Sequence, residues 1–230
     1  MNKALLAAKT VSKTYLLGKR SLEVLRNIDL EVQEGDFLAL RGASGAGKST
    51  LLYLLGGLDT PNTGEIWLAG RNLATLSRTE LARMRNEDVG FIFQAYYLLP
   101  ELDALENVCL PGRMARKPAT ALERRGKELL ERVGLKDRIE HKPYELSGGE
   151  QQRVAIARSM INEPDVILAD EPTGNLDSHT GQEIIELLCS LVSEKQTTLV
   201  MATHDEKLAA RARRVVMLVD GEVQHEEAES

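Results

Sequence analysis

One stretch constrains this chain more than any other: Gly42, Ala43, Ser44, Gly45, Ala46, Gly47, Lys48, Ser49 and Thr50. It fits G-x-x-x-x-G-K-[ST], the phosphate-binding loop. Before it, Phe37 to Leu40 is short, apolar and bounded by Gly35 and Asp36, and reads as a buried strand. After it, Leu51 to Leu55 reads as a helix that stops at Gly56 and Gly57. A strand, a glycine turn and a helix in that order aim backbone N–H groups and a helix N-terminus at one point, which suits a polyphosphate. The glycines let the backbone approach closely. Lys48 would hold the β- and γ-phosphates, and Ser49 would ligate Mg²⁺.

The remaining composition sets bounds. With 230 residues the chain can form one large domain or two small ones. Hydrophobic residues at 43% and charged residues at 28% place it among ordinary soluble globular proteins. A net charge of -6 gives no indication of nucleic-acid binding. Cys109 and Cys189 lack metal or redox spacing and are expected reduced on buried helix faces, as in a cytosolic protein. The start, Met1 to Lys9, has a leader-like look, but its apolar run is too short for a signal peptide. No run approaches the roughly 18 apolar residues of a membrane span.

Coarse secondary structure follows the hydrophobic pattern. Leu5–Ala8 and Leu22–Val32 read as short antiparallel strands with one wet face. Glu65–Ala69 and Val89–Phe93 are further strands, and Ser77 with Glu80 forms a capping box that opens a helix to about Asn86. From about Ala95 to Met160 there are helix signals and no convincing strand. Asp103 caps a helix over Ala104–Leu110, and Pro118 starts another that stops at Gly134. Strand character returns at Asp165–Ala169 and Thr197–Thr203, separated by a helix capped by Ser178. Arg214–Val219, Asp220-Gly221 and Glu222-Val223 read as a closing hairpin, with a frayed tail from His225 to Ser230. The expected architecture is an α/β P-loop NTPase core with a mainly parallel sheet, an N-terminal antiparallel β subdomain and an inserted helical subdomain. The core would comprise residues 1–94 and 161–230 of a single ATPase domain, and the helical subdomain residues 95–160.

Two further stretches carry chemistry. Val166 to Ala169 leads into Asp170 and Glu171, so a buried strand would deliver two carboxylates at its C-terminal end, where α/β folds place ligands. Asp170 would hold Mg²⁺, directly or through water. Glu171, one residue nearer the γ-phosphate, would take a proton from the attacking water. Leu146 to Arg153 opens a helix with Ser147 and Glu150 as a capping box, and Gly148 and Gly149 strip side chains from that helix end. An anion would gain there from the N–H groups and the dipole.

These stretches resemble the ATP-binding cassette (ABC) family, whose signature motif matches Leu146 to Arg153, and the resemblance covers nearly the whole chain. The resemblance implies two cassettes packed head to tail as an ATP-dependent homodimer, the signature residues Ser147, Gly148, Gly149 and Glu150 acting in trans. It implies that Gln94 contacts Mg²⁺ and the attacking water, that His204 is the switch histidine at the γ-phosphate, and that Asp177 lies in the segment crossing the dimer interface. Tyr15 matches the aromatic that stacks on adenine. ATP and Mg²⁺ are the implied cofactors.

Within the family, Leu54–Asp59, Leu98–Pro100, Ala104–Val108 and Ala169–Asp177 look like the branch of lipoprotein-releasing, macrolide-exporter and cell-division ATPases. That branch implies a transmembrane permease partner, no nucleic acid, and a peripheral position at the cytoplasmic face of the inner membrane. The alternative, a soluble cassette ATPase in DNA repair or translation, would bring a long coiled coil between Gln94 and the signature, or a second cassette. Neither is present in this chain. A P-loop kinase or GTPase would lack the Ser147–Gly149 site. The apolar run Tyr96, Tyr97, Leu98 and Leu99 after Gln94 either packs inside or lines the groove that receives the membrane partner.

Overall fold

A computed structural model describes residues 4–18 and 20–228. In chain order the elements are β1 (Ala4–Leu17), β2 (Arg20–Gln33), β3 (Phe37–Arg41), α1 (Lys48–Leu55), β4 (Thr63–Leu68), β5 (Arg71–Asn72), α2 (Arg78–Glu87) and β6 (Val89–Phe93). Then come α3 (Ala104–Met114), α4 (Ala119–Arg132), α5 (Gly148–Ser159), β7 (Val166–Asp170), α6 (Ser178–Lys195), β8 (Thr198–Thr203), α7 (Glu206–Ala209), β9 (Arg214–Val219) and β10 (Glu222–Ala228). They group into two compact units, Met1–Arg85 with Thr198–Ser230, and Asn86–Thr197.

The first unit holds two sets of strands. One is an antiparallel sheet in the order β2-β1-β4-β5. Its first two strands are longer than the short segments expected. The ladder continues past Ala8 because a bulge absorbs the irregularity: Thr10 takes a left-handed φ of 50° and its N–H donates to Asp29 Oδ1 at 2.8 Å. The other set runs β10-β9-β3-β8, with β3 parallel to both β8 and β9. Leu38, Ala39 and Leu40 are therefore flanked by strands on both sides and buried, which is why the segment reads as an unbroken apolar run. In α1, Leu51, Leu52, Leu54 and Leu55 are buried.

The closing hairpin turns at Asp220 and Gly221, both left-handed (φ 49° and 80°), as a tight two-residue turn requires. The tail is not frayed where expected: Glu226, Glu227 and Ala228 pair with Val216, Val215 and Arg214, so backbone pairing orders a polar segment. Glu229 and Ser230 lie outside the described residues, as do Met1, Asn2 and Lys3 of the leader-like start. The remainder of that start is in β1.

The second unit pairs β6 and β7 in parallel, Phe93 opposite Asp170, and adds α3 to α6. Among the described residues no strand lies between Phe93 and Val166. The helix expected to end at Leu110 continues through Pro111 to Met114. Packing overrides the proline: a Cβ on Gly112 would lie 2.3 Å from Leu122 Cδ1, and one on Gly126 would lie 2.7 Å from both Cys109 Sγ and Leu105 Cδ1, so α3 and α4 cross closely through small residues. Cys109 is buried there, and Cys189 on α6 is half-buried. The cap of α6 is Asp177, not Ser178: its Oδ1 accepts the N–H groups of His179 and Thr180 at 3.1 and 3.0 Å. No helix among the described residues is long and apolar enough to cross a membrane.

Candidate active site

In the first unit the glycines of the phosphate loop are dictated by space and by backbone sign. A Cβ on Gly42 would stand 2.3 Å from Leu218 O. Gly47 has φ 101°, and a Cβ there would meet Leu25 Cδ2 at 2.7 Å and Val24 O at 2.9 Å. Gly47 is the N-cap of α1, with no side-chain cap and no acid in the first turn. The first-turn N–H groups of a helix have no intrahelical partner, so this end is shaped for an anion. Lys48 is buried, and its Nζ donates to Gly42 O at 2.8 Å and Ala43 O at 3.1 Å. The ammonium is thereby folded over the loop it belongs to. Ala43, Ser44 and Gly45 are exposed at the tip, Ala46 is buried beneath them, and Ser49 and Thr50 are half-buried in the first turn of α1.

The same unit carries two outlying candidates. His204 is exposed directly after β8, between Thr203, whose Oγ1 accepts the Asp205 N–H at 3.0 Å, and Asp205, which caps α7. Tyr15 is half-buried on β1, and its hydroxyl donates to Asp59 Oδ2 at 2.7 Å.

The second unit brings together Gln94, the two carboxylates, the signature and Asp177. Asp170 ends β7 and is only 7% exposed. Glu171 follows with φ 44°, a left-handed conformation that costs a non-glycine residue about 1–2 kcal/mol. Strain of this kind persists where surrounding structure imposes it, and is concentrated at functional sites. Gln94 and Asn175 exchange two hydrogen bonds, Gln94 Nε2 to Asn175 Oδ1 at 3.1 Å and Asn175 Nδ2 to Gln94 O at 2.8 Å. A Cβ on Gly174 would lie 2.7 Å from Gln94 Nε2, so the glutamine lies directly on that glycine. Asp177 is exposed, and hydrogen bonds led by the one with Thr180 hold its carboxyl below the usual aspartate range.

The signature start is a complete capping box. Ser147 Oγ accepts the Glu150 N–H at 3.3 Å, and Glu150 Oε2 accepts the Ser147 N–H at 2.8 Å. Arg138 donates to Glu150 Oε1 at 3.1 Å. Gly148 and Gly149 also have packing reasons to be glycine: added Cβ atoms would stand 3.1 Å from the Tyr96 hydroxyl and 2.6 Å from Thr180 Cγ2.

Four residues that sequence reasoning missed hold this unit together. Gln152, fully buried on α5, donates from Nε2 to Pro172 O at 2.6 Å, one residue beyond Glu171. Asn175 holds Gln94 as described. Arg158, at the other end of α5, donates to Tyr96 O and Tyr97 O, both at 2.6 Å. Burial pulls its pKa down to about 10, so it stays charged at neutral pH. Asn107, buried on α3, accepts the Leu99 N–H at 2.8 Å and donates to Leu99 O, Leu102 O and Asp103 O. Polar residues inside helices carry no sequence signal of what they bind. The run after Gln94 does not all pack inside: Tyr97 is 64% and Leu99 43% exposed, while Tyr96 and Leu98 are half-buried.

The residues read as metal ligands, Ser49, Gln94 and Asp170, all offer oxygen, the donor that suits Mg²⁺. Among the described residues there is no group of three or more His, Cys, Asp or Glu side chains that could hold a metal ion.

Comparison with known proteins agrees with this chemistry. A family model described as "ABC transporter" matches residues 25–174. The "Lipoprotein-releasing system ATP-binding protein LolD" of Pseudomonas fluorescens is 49% identical over 219 residues, covering 95% of this chain and 96% of that protein. The "Macrolide export ATP-binding/permease protein MacB" of Escherichia coli is 50% identical over 221 residues, covering 96% of this chain but 34% of that protein. Among solved structures, the dimeric post-hydrolysis state of the ATP-binding cassette MJ0796 bound to ADP and Pi superposes with a TM-score of 0.89 at 42% identity, covering 97% of this chain and 98% of that one.

Proposed function

The chain belongs to the ABC transporter family as an ATP-binding, ATP-hydrolysing cassette, and from that premise we propose that it powers a separate membrane permease, in lipoprotein release or export, at the cytoplasmic face of the inner membrane. The α1 start carries this reading: a glycine-forced loop and a helix end with no side-chain cap of its own. The neighbouring cassettes are dimers, one of them bound to ADP and Pi, and we take this chain to form a homodimer when ATP binds. A role in DNA repair or translation is not favoured, since the relatives are lipoprotein-releasing and macrolide-export proteins by name.

The proposed mechanism assigns each group a task. The loop N–H groups and Lys48 bind the β- and γ-phosphates. Ser49, Gln94 and Asp170 would hold Mg²⁺, which when bound neutralises charge on the phosphates. Glu171 accepts the proton of the attacking water, and Gln94 and His204 orient water and γ-phosphate. Ser147 and the α5 start complete the site of a second copy, with Asp177 at the interface between them. Residues 95–160 act as a helical subdomain that reports nucleotide state to the permease. Tyr97 and Leu99 suit that docking role, because Arg158 and Asn107 fix their backbone while their side chains stay exposed.

The test is Glu171→Gln. Loss of the base should lower ATP turnover by about 10²- to 10⁴-fold. ATP should still raise the melting temperature, and the dimer should persist through gel filtration. Turnover at the parent rate would remove Glu171 from the mechanism.

A further inference from the structure

The hydroxyl of Tyr15 sits in a chain of polar groups that the phosphate chemistry does not use. It donates to Asp59 Oδ2 at 2.7 Å. The other carboxylate oxygen, Asp59 Oδ1, receives Lys13 Nζ at 2.7 Å and the Thr60 N–H at 2.7 Å. Lys13 Nζ also donates to Thr60 O at 2.7 Å and stands 4.8 Å from the Tyr15 ring centroid. The lysine side chain is 9% exposed.

The protons in this chain are fixed by elimination. Partial burial pushes the Asp59 carboxyl up, but hydrogen bonds from Lys13, Tyr15 and the Thr60 N–H outweigh it and hold the group below the usual aspartate range. An ionised carboxylate only accepts, so the Tyr15 proton points at Asp59. Burial and the hydrogen bond to Asp59 push the Tyr15 phenol up, so it keeps its proton. The tip of the ring is held by Asp59 in the turn beyond α1, and Lys13 and the Thr60 N–H hold Asp59 in turn. The Lys13 ammonium lies over one face of the ring, an attractive contact that also orders it.

We propose that Asp59, with Lys13, is a positioning residue for the nucleotide: it holds the Tyr15 ring at a fixed place relative to the phosphate loop, so that the base stacks on a surface already in position. This rests on the reading of Tyr15 as the adenine-stacking aromatic. Hydrogen bonds join the Asp59 carboxylate to Lys13, Tyr15 and the Thr60 N–H. Its contribution is to nucleotide affinity, through ordering of a side chain that the base would otherwise have to immobilise.

The experiment measures ATP, ADP and inorganic tripolyphosphate binding by calorimetry, with KM and kcat for ATP, in the parent chain and in Asp59→Ala, Asp59→Asn, Tyr15→Phe, Tyr15→Ala and Asp59→Ala/Tyr15→Phe. Asp59→Ala should weaken ADP binding about 3- to 10-fold and raise KM with kcat held. Tripolyphosphate, which has no base, should bind as it does to the parent. The double variant should lose no more than Asp59→Ala alone, since both changes break one linkage. If Asp59→Ala weakens tripolyphosphate as much as ADP, Asp59 supports the loop's structure and the proposal fails. If Asp59→Ala does not fold, Asp59→Asn, which keeps the shape and removes the charge, carries the same comparison. Tyr15→Ala separates the two readings. Undiminished ADP binding there overturns stacking itself, whereas weakened binding there with parent-like Asp59 variants overturns only positioning.

Discussion

The starts of α1 and α5 are both glycine-rich helix N-termini, one ahead of Lys48 and one after Ser147, and the chain finishes them differently. At α1 the N-cap is a left-handed glycine, which makes no side-chain cap bond, and no acid lies in the first turn. At α5, Ser147 and Glu150 cap each other's backbone and Arg138 braces Glu150. On the function proposed above the first end is completed by a phosphate, whereas the second carries its capping box within its own chain. The weakest bond of the second is Ser147 Oγ to the Glu150 N–H at 3.3 Å, and Ser147 is exposed. A phosphate arriving from another copy would find a preformed, charge-neutral end with one loosely engaged hydroxyl, and not an open cradle.

The contrast breaks hardest at Gly47→Ala. The added Cβ meets Val24 O and Leu25, and φ 101° is left-handed, so the loop must rearrange at a cost of at least about 1–2 kcal/mol. ATP-dependent thermal stabilisation should vanish in this variant, as in Lys48→Ala. Retained stabilisation would mean that the α1 end does not depend on its glycine geometry.

Mixing sharpens the comparison next. Lys48→Ala disables the α1 end, and Ser147→Arg disables the α5 end. If the two ends serve one phosphate from different chains, a mixed dimer contains one intact site, and ATP-dependent dimerisation measured by light scattering should return only on mixing. Absence of rescue would place both ends in the same chain.

The smallest effect is in pH. The Ser147 N–H, opposed by partial burial and aided by the Ser147 hydroxyl and Arg138, holds the Glu150 carboxyl below the usual glutamate range. A lowered folded-state pKa contributes stability above the unfolded value near 4.3, and that stability is lost as pH falls through the folded value. Glu150→Gln should therefore lose a little stability near neutral pH, below about 1 kcal/mol after solvent screening. Its deficit relative to the parent should close in acid. The α1 start has no acid in its first turn and makes no such contribution. A deficit that stays constant from pH 7 to the acid range would show that the cap does not act through charge.

How much of this was legible in the sequence divides along physical lines. The strand-loop-helix around Lys48, the capping boxes at Ser77 and Ser147, the cap at Asp103 and the closing hairpin were readable, because each depends on residues within a few positions of one another. The cap of α6 was misplaced by one residue because Asp177 and Ser178 are adjacent and both capable; the backbone decides that Asp177 accepts. The lengths of β1 and β2 were not readable, since a bulge at Thr10 depends on Asp29 in the partner strand. Gln152, Arg158 and Asn175 were invisible for the same reason, with partners 20 to 81 positions away, and Asn107 because it ties its own helix start to Leu99, eight positions back. The glycines of the signature look like an anion device in sequence, and only packing against Tyr96 and Thr180 shows a second reason for them.

The Gln152 hydrogen bond to Pro172 has a consequence for engineering. It welds the signature helix to the turn that follows Glu171, so these two stretches are one part with two names. A chimaera that imports residues 146–153 from another cassette and leaves 171–175 behind would inherit a joint without its matching half. Grafts should be cut outside both stretches, and variation at one should be screened together with variation at the other.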